Sequence, residues 1–112
     1  MGFFNTLITE IACPNCKKNC RVRIQYKFGM TRQLEYKVGD TIIWGVNEIG
    51  NSAIRKAKAY GIIEDNQDCQ FCKATLPEHY DVFIENDVII NISPTSGESE
   101  YLEGDGPYVA LD

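Results

Sequence analysis

Histidine occurs once in the 112 residues, at His79, so a catalytic site or metal site built on several imidazoles has no material here. Long apolar runs are also missing. The longest are stretches such as Val88-Ile89-Ile90, far short of the roughly 18 to 20 residues that cross a bilayer as a helix. No Gly-x-Gly-x-x-Gly or phosphate-loop pattern occurs, so nucleotide chemistry has no anchor. Met1 to Ala12 lacks a basic leading region and carries Glu10 within its apolar stretch, so no secretory signal is expected and a cytoplasmic location is. Glycine (9) and proline (4) are too few for a collagen-like or wholly disordered chain.

Acidic residues are absent between Ile11 and Leu34, and basic residues are absent between Pro94 and Asp112. The net charge of −5 is carried by Glu98, Glu100, Glu103, Asp105 and Asp112, which leaves residues 1–93 neutral. The chain is long enough for one domain. The division expected is a folded β domain over 1–93 followed by an acidic tail over 94–112, flexible or docked on a partner, because few apolar groups there offset the entropy of ordering. Tyr101, Leu102, Tyr108, Val109 and Leu111 are the residues with which such a tail would dock, on its own domain or on another protein.

Alternation of apolar and polar residues dominates the rest. Phe3 to Ala12 and Cys20 to Phe28 read as strands, the second placing Val22, Ile24, Tyr26 and Phe28 opposite Arg23, Gln25 and Lys27. Gln33 to Val38 and Thr41 to Trp44 read as a hairpin turning at Gly39-Asp40. Ala53 to Tyr60 fits a short helix by its Ala and Lys content and, through Ala57, Ala59 and Gly61-Ile62-Ile63, a strand about as well, the strand being preferred; Tyr80 to Ile84 and Val88 to Ile92 read as a hairpin turning at Asn86-Asp87, with Pro94 ending it. The fold class expected is mostly β: a small antiparallel sheet domain with two Cys-x-x-Cys knuckles on hairpins.

Those knuckles are Cys13-Pro14-Asn15-Cys16 and Cys69-Gln70-Phe71-Cys72, with 52 residues between them. Two residues between thiols let one tight turn aim both sulfurs at one ion, and two such turns complete a tetrahedron. Disulfides fit poorly with five cysteines and no export signal. A thioredoxin-type pair requires a helix after the motif, whereas Arg21 to Phe28 alternates as a strand. Cys13, Cys16, Cys69 and Cys72 are therefore the expected ligands of one structural Zn²⁺ per chain, although iron takes the same four-sulfur cage. Cys20 could replace one ligand through Cys16-x-x-x-Cys20 but is read in preference as a small buried hydrophobe opening the outgoing strand, and His79 could substitute for a sulfur but is read in preference as a packing or surface residue.

The two motifs and their flanking strands, about a third of the chain, resemble the knuckles of zinc-ribbon and rubredoxin-like proteins, here as a ribbon with strands inserted between the knuckles. That family often has glycine just after the second cysteine, where the backbone turns left-handed. This chain has Lys17-Lys18-Asn19 and Lys73-Ala74-Thr75 there, of which Asn19 is the residue suited to that conformation. The resemblance implies metal and fold rather than one activity, since such proteins include nucleic-acid binders, subunit adaptors and electron carriers.

No catalytic set stands out. His79 has only Glu78 and Asp81 as nearby acids, neighbours on an expected strand that face apart or are merely adjacent. Glu64-Asp65 and Glu98/Glu100 read as solvated carboxylates, and the myristoylation-like start at Gly2 and the acceptor pattern Asn91-Ile92-Ser93 carry no weight. The function expected is a non-enzymatic zinc-binding module for protein–protein interaction, an adaptor or neutraliser of another protein. The alternative is nucleic-acid binding through Lys17, Lys18, Arg21, Arg23, Tyr26 and Lys27, basic groups interleaved with aromatics, with the acidic tail regulating access. A third reading is an iron-containing electron carrier.

Overall fold

Residues 5–12 and 19–26 each alternate in burial along their length, and they pair with one another across a turn that holds the first Cys-x-x-Cys motif. In the computed structural model, which describes residues 4–31, 33–45, 48–50, 53–64, 68–95, 101 and 107–111, the strands are β1 (Asn5–Ala12), β2 (Asn19–Tyr26), β3 (Gly29–Met30), β4 (Glu35–Tyr36), β5 (Glu48–Ile49), β6 (Lys56–Ile63), β7 (His79–Glu85), β8 (Val88–Pro94) and β9 (Tyr108–Ala110). The main sheet runs β4-β1-β2-β6-β7-β8, with β9 also on β6, and β3 and β5 form a separate two-stranded sheet. All pairings of the main sheet are antiparallel except β1 with β4. The protein is mostly β, as its alternation predicts. Among the described residues no helix is long and apolar enough to cross a membrane.

The core forms where the inward faces meet. Leu7 lies opposite Ile24, Ala59 opposite Val82 and Ala57 opposite Ile84, all buried. Gly61 stands opposite Tyr80, and a Cβ there would come within 2.6 Å of Ile24 Cγ2, so glycine is what lets β2 and β6 approach. Asn86 and Asp87 turn the β7–β8 hairpin, both with positive φ (50° and 66°), the backbone that a two-residue hairpin loop requires and that Asn and Asp tolerate.

The expected hairpin of Gln33 to Val38 with Thr41 to Trp44 does not form. Glu35 and Tyr36 instead lie parallel to Thr6 and Leu7 of β1. A turn then follows in which Asp40 N donates to Lys37 O, with Gly39 at φ 99°. It throws the chain onto the far edge of the sheet, where Gly39 N donates to Ile89 O, Ile89 N to Asp40 O and Ile42 N to Asp87 O. One short segment thus pairs with β1 at one edge and β8 at the other, drawing the sheet around its core. The alternation around Tyr36 does mark a strand, but its partners come from distant parts of the chain.

The acidic segment after Pro94 is not simply solvated. Tyr108, Val109 and Ala110 pair with Ala59, Lys58 and Ala57 of β6, along the part of that edge that β2 leaves free. Tyr101 is 2% exposed and donates from its hydroxyl to the buried carboxylate of Asp81, with Lys58 Nζ 5.5 Å from its ring centre. Backbone partners and one phenol supply the ordering energy that the sparse apolar content could not. The acidic residues Glu98, Glu100, Glu103, Asp105 and Asp112 lie outside the described residues.

Asn5 joins the segments that follow β2. Buried at the start of β1, it donates from Nδ2 to Phe28 O (3.3 Å) and Met30 O (2.9 Å) and accepts from Leu34 N (3.2 Å). Asn5→Ala strands these buried backbone groups and is expected to cost about 2 to 3 kcal/mol in urea unfolding, at the rate of ~1 kcal/mol or more for each unpaired group. Tyr101→Phe removes the donor to a buried carboxylate and should lower stability by about 1 to 3 kcal/mol, with faster amide exchange across β9 and little change at the β1–β2 turn.

Candidate metal centre

Each Cys-x-x-Cys motif folds by the same set of backbone bonds. In the first, Cys13 N donates to Lys18 O (2.9 Å), Lys17 N to Cys13 O (2.9 Å) and Asn15 N to Cys13 Sγ (3.4 Å). In the second, Cys69 N donates to Ala74 O (2.8 Å), Lys73 N to Cys69 O (3.0 Å) and Phe71 N to Cys69 Sγ (3.4 Å). The residue after the second cysteine takes the left-handed conformation in both, Lys17 at φ 65° and Lys73 at φ 66°. Asn19, the residue expected to do so, instead begins β2. The turn geometry tied to glycine in the ribbon resemblance is thus reached here by two lysines.

Sheet pairing brings the turns together. β2 leaves the first knuckle and β6 enters the second, and the two strands pair through Ile24 with Ile63 and Gln25 with Ile62. The result is that Cys13, Cys16, Cys69 and Cys72 have all four sulfurs within 4.8 Å of one another, the one such group of metal-ligating side chains among the described residues. Cys13 Sγ is 3.6 Å from Cys72 Sγ, and Cys16 Sγ is 3.5 Å from Cys69 Sγ. A tetrahedron with metal–sulfur bonds of ~2.3 Å has sulfur–sulfur edges of about 3.8 Å, so the cluster has the size such an ion needs. Asn15 Nδ2 reaches across from the first knuckle to Cys72 Sγ at 3.4 Å. Four sulfur ligands would fill a tetrahedral ion and leave no position for water.

The electrostatics favour thiolates on the second knuckle. Donation from the backbone N–H of Cys72, joined by that of Phe71, lowers the Cys69 thiol to about 5 against the opposing effect of burial. The Asn15 amide and then the backbone at Ala74 lower Cys72. Cys16 moves the other way, to about 12: the backbone at Lys18 favours its thiolate but is outweighed by burial and the surrounding sulfurs.

Cys20, read as a buried hydrophobe with ligation as the lesser alternative, is buried and in contact with the cluster. Its thiol lies 3.2 Å from Cys69 Sγ, nearer than Cys16 Sγ is to the same sulfur. Position alone on β2 gives no sign of this, because the neighbour comes from the other knuckle. His79 lies away from the sulfurs, with its ring stacked on Tyr60 and Nδ1 hydrogen-bonded to the Tyr60 hydroxyl. Asp81 shares its face rather than opposing it, but is engaged by Tyr101.

The basic strand is only partly available. Lys17, Lys18, Arg21 and Lys27 are exposed. Arg23 is held by Glu35 (3.1 Å) and Glu64 (3.4 Å). Tyr26 is 1% exposed and packs in the core beside Tyr36, so it cannot serve as a stacking platform, and Phe28 is buried as well. Among the described residues the exposed aromatic is Phe71, 55% accessible at the second knuckle with Lys18 Nζ 5.0 Å from its ring centre, a residue the basic-strand pattern does not include.

Left-handed backbone costs an ordinary L-residue ~1 to 2 kcal/mol, of which glycine's extra chain entropy returns about half. Lys73→Gly should therefore raise stability by up to about 1 kcal/mol, whereas the β-branched Lys73→Val should lower it by at least ~1 kcal/mol, read by thermal unfolding of the metal-loaded protein. The chain matches no protein-family model, no curated protein and no solved structure.

Proposed function

We propose that the protein is a non-catalytic zinc-binding module whose metal is structural and whose role is to bind another protein. The observation that carries this reading is the convergence of four sulfurs from two hairpin turns, supported by N–H donors aimed at Cys13, Cys69 and Cys72. A closed set of four thiolates gives a metal no open position for substrate, which favours a structural over a catalytic ion. Two turns whose strands pair at only two residue positions gain the most from such a clamp. Around it, Phe71, Lys17, Lys18 and Lys73 form an exposed apolar and basic tip suited to an acidic protein surface.

The same tip favours a second reading, in which Phe71 rather than Tyr26 stacks on a base of a single-stranded nucleic acid and the lysines meet its phosphates. Phe71→Ala then weakens binding by about 1 to 3 kcal/mol, and affinity falls steeply with salt. Iron in the same cage makes a third, and a coloured, redox-active preparation would carry it.

Elemental analysis of protein purified without added metal tests the main reading. About one zinc per chain is expected, since one closed four-thiolate site holds one ion. Changing both Cys13 and Cys69 to Ser should abolish binding and unfold the knuckles, as structural zinc sites supply folding energy outright. A native protein with no metal overturns the reading.

A further inference from the structure

Five thiols meet at this centre, and only four belong to the tetrahedron. The fifth, Cys20, is fully buried on the inward face of β2 with its Sγ 3.2 Å from Cys69 Sγ. A metal held by Cys13, Cys16, Cys69 and Cys72 would occupy each of those sulfurs and leave Cys20 as the uncommitted thiol in contact with a ligand.

We propose that Cys20 and Cys69 are a disulfide-forming pair through which a hydroperoxide opens the metal centre. The hydroperoxide is the two-electron oxidant. Its terminal oxygen transfers to Cys69 Sγ as the O–O bond breaks; the alcohol or water leaves with a proton from solvent, and Cys69 becomes a sulfenic acid. Cys20 Sγ then attacks Cys69 Sγ. The S–O bond breaks, the S–S bond forms, and the hydroxyl leaves as water with the Cys20 proton. Cys69 can no longer act as a thiolate ligand, so three ligands remain, the coordination sphere opens to water and the ion is held weakly enough to pass to a chelator. Cys20 also protects the centre, because a sulfenic acid captured as a disulfide is recoverable by a thiol reductant, whereas one oxidised further is not.

The metal release rests on the zinc reading above, and the disulfide does not. The test treats zinc-loaded protein with hydrogen peroxide, follows zinc with a chromogenic chelator, and maps disulfides by peptide mass after blocking free thiols. The expected product is a Cys20–Cys69 link formed together with zinc loss, both reversed by dithiothreitol and added zinc. Cys20→Ala, and Cys20→Ser should alanine leave a cavity that impairs folding, should still bind zinc. After peroxide they should recover about tenfold less zinc binding on reduction, because the sulfenic acid proceeds to irreversible forms. A wild-type link confined to Cys16–Cys69 or Cys13–Cys72 with Cys20 left free overturns the proposal, as does full recovery in both variants. The same mapping on metal-free protein separates the two ideas. A Cys20–Cys69 link in a chain that binds no metal sustains the pair and sinks the zinc reading, while bound zinc with a link elsewhere does the reverse.

Discussion

The pairing of β2 with β6 is the constraint on which the centre depends. It extends over only Ile24 with Ile63 and Gln25 with Ile62, yet these contacts set side by side two hairpins that are remote in sequence. Gly61 makes the approach feasible, since any Cβ would collide with Ile24. Past that point the strands end in their separate knuckles, where Arg23 with Glu64, Asn15 with Cys72 and Lys18 over Phe71 are the links between the hairpins among the described residues outside the sulfur–sulfur contacts. The sulfurs stand where the sheet stops, so a metal there would continue by coordination what the backbone ladder leaves unfinished.

Two other features follow from the limited length of that pairing. Because β2 occupies only the end of β6, the rest of the β6 edge is free for Tyr108–Ala110. The C-terminal segment is thereby tied to the strand that also leads into the second knuckle, and Tyr101 reaches the β6–β7 hairpin through Asp81. The segment between β2 and β6 meets the other problem, the two outer edges of the sheet, by bonding to β1 with Glu35 and Tyr36 and to β8 with residues 39–42. The start of β1 and the start of β8 are in this way given partners, which reduces the tendency of those edges to pair between molecules.

The knuckles also show how a turn geometry can be kept without its usual residue. Lys17 and Lys73 both adopt positive φ at equivalent places, and Lys17 turns its ammonium onto Pro14 O of its own knuckle. The conformational cost of a lysine at such a position is modest, ~1 to 2 kcal/mol, and glycine would relieve it.

Much of this protein is legible in its amino-acid order. The spacing of Cys13, Cys16, Cys69 and Cys72, the alternation of β1 and β2, the strand through Ala57 and Ala59, and the Asn86-Asp87 turn are all local signals, set by the period of a strand and the backbone that a turn demands. Local signals state which face a residue presents but not what it will face. Tyr26 belongs to the basic and aromatic set suited to nucleic acid, yet the alternation places it on the side of Val22 and Ile24, and packing beside Tyr36 buries it. Tyr36 announces a strand without naming β1 as its partner, and the acidic stretch hides the pairing of Tyr108–Ala110 because backbone bonds to β6 leave no mark in composition. Cys20 is the sharpest case. Its own sequence neighbours make it one more inward residue of β2, and only the arrival of Cys69 from the other hairpin turns it into part of the centre. The sequence alone determined the candidate ligands and the strands that carry them; the tertiary structure decided their neighbours, because contact between distant segments depends on sheet order and register, which no local period encodes.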